Sequence, residues 1–231
     1  MFDRDFSTPD AQAKTERPLA VIFDLDGTLL DTEPLYTLSA QRVAARFGKS
    51  FDWTLKSQTM GGDAEFGAEL VVRTLGLPIS PAEYLSERYA ILRQLFLETS
   101  AMPGAESCVR ALQSAGVPVA IGTSSYAELC DLKWTNFPWI SSIGVKVCGD
   151  DPEVKARKPA PDIFLLAARR LGVAPERCVV FEDSPAGVTA AKRAGMRVVV
   201  IKARELDAAL VAHADRVLNH FDELDYALLG L

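Results

Sequence analysis

Histidine is scarce in this 231-residue chain: there are two, His213 and His220, both near its end and beyond every motif described below. A histidine-based triad or zinc site therefore lacks its raw material. The four cysteines, Cys108, Cys130, Cys148 and Cys178, form no CxxC or Cys/His cluster. Three fall in apolar surroundings, which reads as small buried thiols in a reducing cytoplasm rather than a disulfide framework. No apolar run approaches the length of a membrane span. Residues Met1 to Arg17 lack the apolar core of a signal peptide and read as a polar, disordered leader. Positive charge is also short, with 25 Lys and Arg against 31 Asp and Glu, a net charge of −6. That balance argues against nucleic acid or an anionic membrane as a partner, but not against a small phosphorylated molecule, because a local cation can outweigh the global sign.

What is present is a hydrophobic fraction of 48%, ordinary for a globular protein, in a length that suits one core with a smaller insertion. Pro18 to Leu25 reads as a first, central strand. From Glu33 to Phe47 the apolar period changes to that of a helix, and two more helical stretches follow, near Ala64 to Leu75 and Pro81 to Leu97. No strand-like run interrupts this block, so Thr32 to Met102 reads as a helical insertion. Met102-Pro103-Gly104 marks the return.

Beyond it the pattern alternates. Helices are expected at Ala105 to Ala115, Asp162 to Leu171, Ala186 to Ala194 and Leu206 to His213. Strands are expected at Val117 to Gly122, Val145 to Cys148, Cys178 to Phe181, Val198 to Ile201 and Arg216 to Leu218. A less regular segment runs through Trp134 and Trp139. Strands that are apolar throughout and alternate with helices indicate an α/β fold, a Rossmann-like parallel sheet covered by helices on both faces. Ligands of such sheets bind beyond the carboxyl ends of the strands.

Four polar groups fall at or just beyond those ends. In Asp24-Leu25-Asp26-Gly27-Thr28 two carboxylates stand one residue apart, on one side if the extended conformation persists. Like charges so close call for a cation, and a divalent one held by hard oxygen ligands would leave a carboxylate free to attack or to move a proton. A plain Asp-Gly turn is the alternative. In Gly122-Thr123-Ser124-Ser125 the hydroxyl of Thr123 and the backbone near Ser124 suit phosphate oxygens, although serines and threonines also crowd ordinary turns. Lys158 precedes Pro159-Ala160-Pro161, which stiffens the backbone that presents its ammonium. Asp162 suits a first helical turn without catalytic duty. In Phe181-Glu182-Asp183-Ser184 two adjacent acids end an apolar strand and need a counter-charge.

In this order the four groups resemble the four motifs of the haloacid dehalogenase-like hydrolases, over nearly the whole chain after the leader. The insertion resembles that superfamily's helical cap of the first type, an all-helical domain. The resemblance implies a division into leader (1–17), catalytic core (18–31 and 103–231) and cap (32–102). It implies a phosphatase whose nucleophile is Asp24, forming an aspartyl-phosphate, and whose acid/base is Asp26. Thr123 and Lys158 would orient the phosphate, with Gly27 and Ser124 beside it. Magnesium (Mg2+) would be held by Asp24, the Asp26 backbone carbonyl and Asp183, with Glu182 joining directly or through water. Substrate contact from the cap falls to Gly61 and Gly62, where glycine lets backbone approach a ligand, unless that loop is a plain turn. A monomer or weak homodimer in the cytoplasm is expected.

Dehalogenases of the superfamily lack the second aspartate as acid/base, so Asp26 argues for phosphoryl chemistry. Mutases of the β-phosphoglucomutase type resemble the chain too, but Tyr36 stands where they carry a cap histidine. Phosphonate hydrolases need a cap lysine; Lys49 and Lys56 are the candidates, and their polar surroundings read as solvated. Stretches such as Phe51-Asp52-Trp53-Thr54-Leu55-Lys56 and Gly149-Asp150-Asp151-Pro152 are similar to eukaryotic pseudouridine-5′-phosphatases and plant-type glycerol-3-phosphatases. After Asp131-Leu132-Lys133 the chain departs from them, with Trp134-Thr135-Asn136-Phe137 in place of a threonine and an Arg-His pair. A non-catalytic binding domain on the same fold is the reading from another class.

Overall fold

The structure, a computed structural model, describes residues 20–59, 64–202 and 206–226. Strand β1 (Ala20–Phe23) leads into a block of helices, α1 (Glu33–Ala45), α2 (Trp53–Ser57), α3 (Ala64–Leu75) and α4 (Pro81–Leu95), the last followed by a 3-10 turn at Phe96–Glu98. The chain then runs through α5 (Ala105–Ser114), β2 (Val119–Gly122), α6 (Ala127–Trp134), α7 (Pro138–Ser141), β3 (Val145–Val147) and α8 (Asp162–Leu171). It closes with β4 (Cys178–Glu182), α9 (Pro185–Arg193), β5 (Arg197–Ile201) and β6 (Arg216–Leu218).

The six strands form one all-parallel sheet in the order β3-β2-β1-β4-β5-β6, so β1 lies inside it, between β2 and β4. Alternation along β1 divides the interior. Val21 and Phe23 enter one apolar core with α5, α7 and Phe221, while Ala20 and Ile22 enter the other with α8 and α9. Both faces being covered, the strands carry apolar residues at successive positions. Phe23 stacks on Phe181 at 5.0 Å and Phe181 on Phe221 at 5.5 Å, pairs that each add about 0.5–1.5 kcal/mol beyond area burial.

Helices α1 to α4 have a core of their own, around Val43, Phe51, Leu55, Val71 and Tyr84. Ser80 starts α4 with a capping box: its Oγ accepts from the Glu83 N–H at 3.2 Å, and the Glu83 carboxylate accepts from the Ser80 N–H at 2.8 Å.

Three expectations change. The extended conformation does not persist through Asp24 and Asp26: the strand ends at Phe23, and a tight loop follows in which Leu29 and Leu30 N–H both donate to the Leu25 carbonyl. Gly27, at φ 77°, permits that loop. The segment through Trp134 and Trp139 holds two helices, α6 and α7. The helix expected from Leu206 to His213 is a single 3-10 turn, Ala208–Val211, started by Asp207 accepting from the Ala209 N–H; the chain must already enter β6 at Arg216.

Candidate active site

Sheet register assembles the site. Phe23 is level with Phe181 on β4 and with Ile121 on β2, so Asp24, Gly122 and Glu182 come level at the carboxyl ends of three adjacent strands. Asp24 N–H donates to the Phe181 carbonyl at 2.9 Å, extending the ladder by one bond beyond β1.

Lys158 is buried among these groups, and its three N–H donors have three partners. Nζ lies 2.5 Å from Asp24 Oδ1, 2.8 Å from Glu182 Oε1 and 3.0 Å from the Gly122 carbonyl. Its pKa is raised: burial works against the charge, and the Asp24 and Glu182 carboxylates more than offset it. The second Glu182 oxygen accepts from the backbone N–H groups of Asp183 and Ser184, both at 2.8 Å, and from Ser184 Oγ at 2.9 Å. Ser184 Oγ in turn accepts from Gly187 N–H at 3.1 Å as the N-cap of α9.

Asp183 is placed differently. It is 4% exposed, and among the described residues no hydrogen bond reaches its carboxylate. Burial, with the Glu182, Glu33 and Asp24 carboxylates near, pushes its pKa well above the usual range. Burial likewise raises Asp24 to about 7, against the pull of Lys158 and with Glu182 and Asp26 adding to the rise. Gly27 makes room here, because a Cβ at that position would collide with the Asp183 carboxylate.

Asp24, Asp26, Thr123, Ser124 and Asp183 face one cavity of about 130 Å³. Across it stand Tyr36, Lys56, Arg88 and Tyr89 from the helical insertion. Thr123 is buried; its N–H donates to the Val147 carbonyl at 3.0 Å, and its Oγ1 accepts from Ser125 N–H at 3.1 Å. Gly61 and Gly62 lie outside the described residues.

Two lysines differ from what the sequence suggested. Lys56 is not solvated: it is buried, with Nζ 3.1 Å from the Glu33 carboxylate and 3.1 Å from the Glu33 carbonyl. The helical insertion folds over it, which local polarity does not reveal. Lys133, which sequence reasoning named only as the last residue before the chain departs from those relatives and gave no role, bonds Asp26. Its signal was its position on α6, where it shares a face with the buried Leu129 and Cys130. Asp150, read as a turn former, accepts from the Ala127 N–H at 2.9 Å at the start of α6.

A model of the haloacid dehalogenase-like hydrolases matches residues 18–195. The chain belongs to this family of enzymes. It is 43% identical over 204 residues to (DL)-glycerol-3-phosphatase 1, mitochondrial, of Arabidopsis thaliana, covering 86% of this chain and 68% of that protein. It is 43% identical over 214 residues to the probable pseudouridine-5′-phosphatase of Drosophila melanogaster, covering 91% and 93%. Among solved structures, CbbY from Rhodobacter sphaeroides in complex with phosphate matches with a TM-score of 0.75 at 30% identity, over 93% of this chain and 100% of that one.

Phosphatases of the haloacid dehalogenase-like family generally use a divalent metal, and the residues here fit one. Asp24, Asp26, Glu182 and Asp183 bring four carboxylates, against the two ammonium groups of Lys158 and Lys133. With all four ionised, two negative charges would be left over, beside Asp183, the one of the four whose carboxylate receives no hydrogen bond among the described residues. Among the described residues no three His, Cys, Asp or Glu side chains form a ready cage. A hard cation such as magnesium needs no such cage, since one or two carboxylates with water, backbone and substrate oxygens can bind it.

Proposed function

We propose that this chain is a magnesium-dependent phosphoric monoester hydrolase acting on a small phosphorylated metabolite through an aspartyl-phosphate at Asp24. The observation that carries this reading is the buried Asp24 carboxylate facing the cavity beside Asp26, with Lys158 2.5 Å away. A carboxylate approaches a dianionic phosphate only where positive charge offsets the repulsion, and phosphoryl transfer depends mainly on positioning and charge stabilisation.

Each residue then has one role. Asp24 attacks phosphorus, and the bond to the leaving alkoxide breaks. Asp26 gives that oxygen a proton and later takes one from the water that cleaves the aspartyl-phosphate. Thr123, Ser124 and the Gly27 backbone are assigned to the phosphate oxygens. Lys158 holds Asp24 in place and supplies positive charge beneath the transferring group. Asp24, Asp183 and the Asp26 carbonyl would hold magnesium, with Glu182 beside them; the ion would supply the remaining neutralisation of phosphate and carboxylate.

Residues 18–31 and 103–231 are assigned to the catalytic core and 32–102 to the cap, whose helices have their own apolar interior. Cap residues would choose the substrate among sugar, polyol and nucleoside monophosphates, the last two being the classes named in the two curated relatives. Tyr36 faces the cavity with a phenol whose pKa is pushed up by burial and by Asp26, a poor replacement for a mutase's imidazole. Hydrolysis is therefore favoured over a phosphomutase. A monomer or weak homodimer in the cytoplasm completes the assignment.

The test is phosphate release from glycerol phosphates, nucleotide and pseudouridine monophosphates and hexose phosphates, with magnesium or with chelator. Magnesium-dependent turnover that Asp24→Asn abolishes is expected. Turnover that survives the substitution would overturn the mechanism.

A further inference from the structure

Among the described residues, Lys133 is the most deeply enclosed charged group that the reaction above does not use. It stands on α6 with its side chain fully buried. Its Nζ lies 2.7 Å from each oxygen of Asp26, 2.7 Å from Ser125 Oγ and 2.8 Å from Tyr36 Oη. The rings of Phe96 and Tyr36 flank the ammonium at 4.8 and 5.2 Å.

Asp26 is therefore held from behind on both oxygens. Thr32 Oγ1 donates to Oδ1 at 2.7 Å, Ser125 Oγ donates to Oδ2 at 2.7 Å, and Lys133 reaches both. The anchors come from three separate segments: the start of α1, the loop after β2, and α6. A buried ion pair adds little to stability over apolar residues of the same size, so the fold alone gives Lys133 no clear use. The carboxylate it grips lines the cavity. The orientation of that carboxyl group decides whether a lone pair or proton points at the reacting oxygen, and small misplacements of such groups are costly in rate.

We propose that Lys133, assisted by Tyr36, is a positioning residue that fixes the plane of Asp26 for proton transfer to the leaving oxygen. It has this role only if Asp26 moves the proton, as proposed above. Tyr36 and Phe96 belong to the helical insertion and Asp26 and Lys133 to the sheet side, so the contact also ties the two halves of the cavity together at the acid/base.

The experiment compares kcat/KM for two esters, glycerol 3-phosphate as an alkyl phosphate and p-nitrophenyl phosphate. The alkoxide must be protonated as it leaves; the nitrophenolate leaves without a proton. In Lys133→Met the value for the alkyl ester should fall about 10- to 100-fold while that for the aryl ester changes less than about threefold. Asp26→Asn should give the same pattern more strongly. Tyr36→Phe, which removes one hydroxyl, should lower the alkyl-to-aryl ratio about two- to fivefold. Equal losses on both esters, or none, would overturn the role of Lys133, and if Lys133→Met does not fold the Tyr36→Phe ratio decides alone. If the wild type does not cleave glycerol 3-phosphate, the alkyl ester of the panel above that it does cleave takes its place; a wild-type enzyme that cleaves none of the panel, or an Asp24→Asn variant that cleaves its substrates normally, would instead overturn the phosphatase assignment and the role of Lys133 with it.

Discussion

Lys158 and Asp24, 134 positions apart in sequence, meet at 2.5 Å beneath the floor of the cavity, and both are buried. The ammonium is the shared counter-charge of Asp24 and Glu182. Replacing it by the isosteric Met would leave two buried carboxylates without their cation, a loss of about 3–5 kcal/mol. Lys158→Met should therefore unfold at markedly lower urea concentration and show no measurable phosphate release. A variant as stable as the wild type would mean that the carboxylates find another counter-charge.

Gly27 combines a positive φ of 77° with contact against Asp183. An alanine there would strain the backbone by about 1–2 kcal/mol and push the Asp183 carboxylate aside. Gly27→Ala should lose magnesium affinity at least tenfold by isothermal titration while keeping its far-ultraviolet circular dichroism. Unchanged affinity would show that Asp183 is not a ligand.

The metal-free protein should respond to pH in a defined direction. Burial, followed by neighbouring carboxylates, raises the folded-state pKa of Asp183, and burial raises that of Asp24 to about 7. A carboxyl group whose pKa is higher folded than unfolded binds its proton more tightly in the folded state. Its contribution is therefore most favourable below about pH 4 and is lost as pH rises toward the folded value. In chelator, stability should fall between about pH 5 and pH 7 by an amount on the order of a few kcal/mol, and Asp183→Asn should reduce that fall. Saturating magnesium should remove most of it. A chelated wild type and Asp183→Asn with parallel pH dependences of urea unfolding would contradict the assignment.

Much of this arrangement was legible in the sequence because buried parallel strands announce themselves. The apolar runs located all six strands, and β6 matches to the residue, Arg216–Leu218. That Asp24, Thr123 and Asp183 would share one cavity was legible from their places at the ends of apolar strands, although singly the Asp24 and Thr123 stretches also suited ordinary turns. Lys133 was not, since α6 is short and its apolar face includes the lysine itself. Lys56 was misread because its burial comes from packing against Glu33, a relation between segments that local composition does not carry. The geometry of Asp24 and Asp26 was also hidden: the loop at Gly27, not strand alternation, sets where Asp26 lies.

Thiol reactivity gives an independent check on packing. Burial pushes Cys108 up to about 12 and Cys178 up to about 11, whereas a hydrogen bond with Cys130 lowers Cys148, which is half-buried. Iodoacetamide at pH 8 should therefore modify Cys148 first in the native protein, as read by peptide mass spectrometry. Early modification of Cys108 would show that the α5 side of the core is open.

The decisive observation is the covalent one. Enzyme mixed with magnesium and a turned-over phosphate ester, quenched in acid during steady state and digested, should carry the phosphoryl group on Asp24. Asp24→Asn should carry none and release no phosphate. Phosphate release at the wild-type rate by Asp24→Asn, or a phosphoryl group found on another residue, would contradict nucleophilic attack by Asp24.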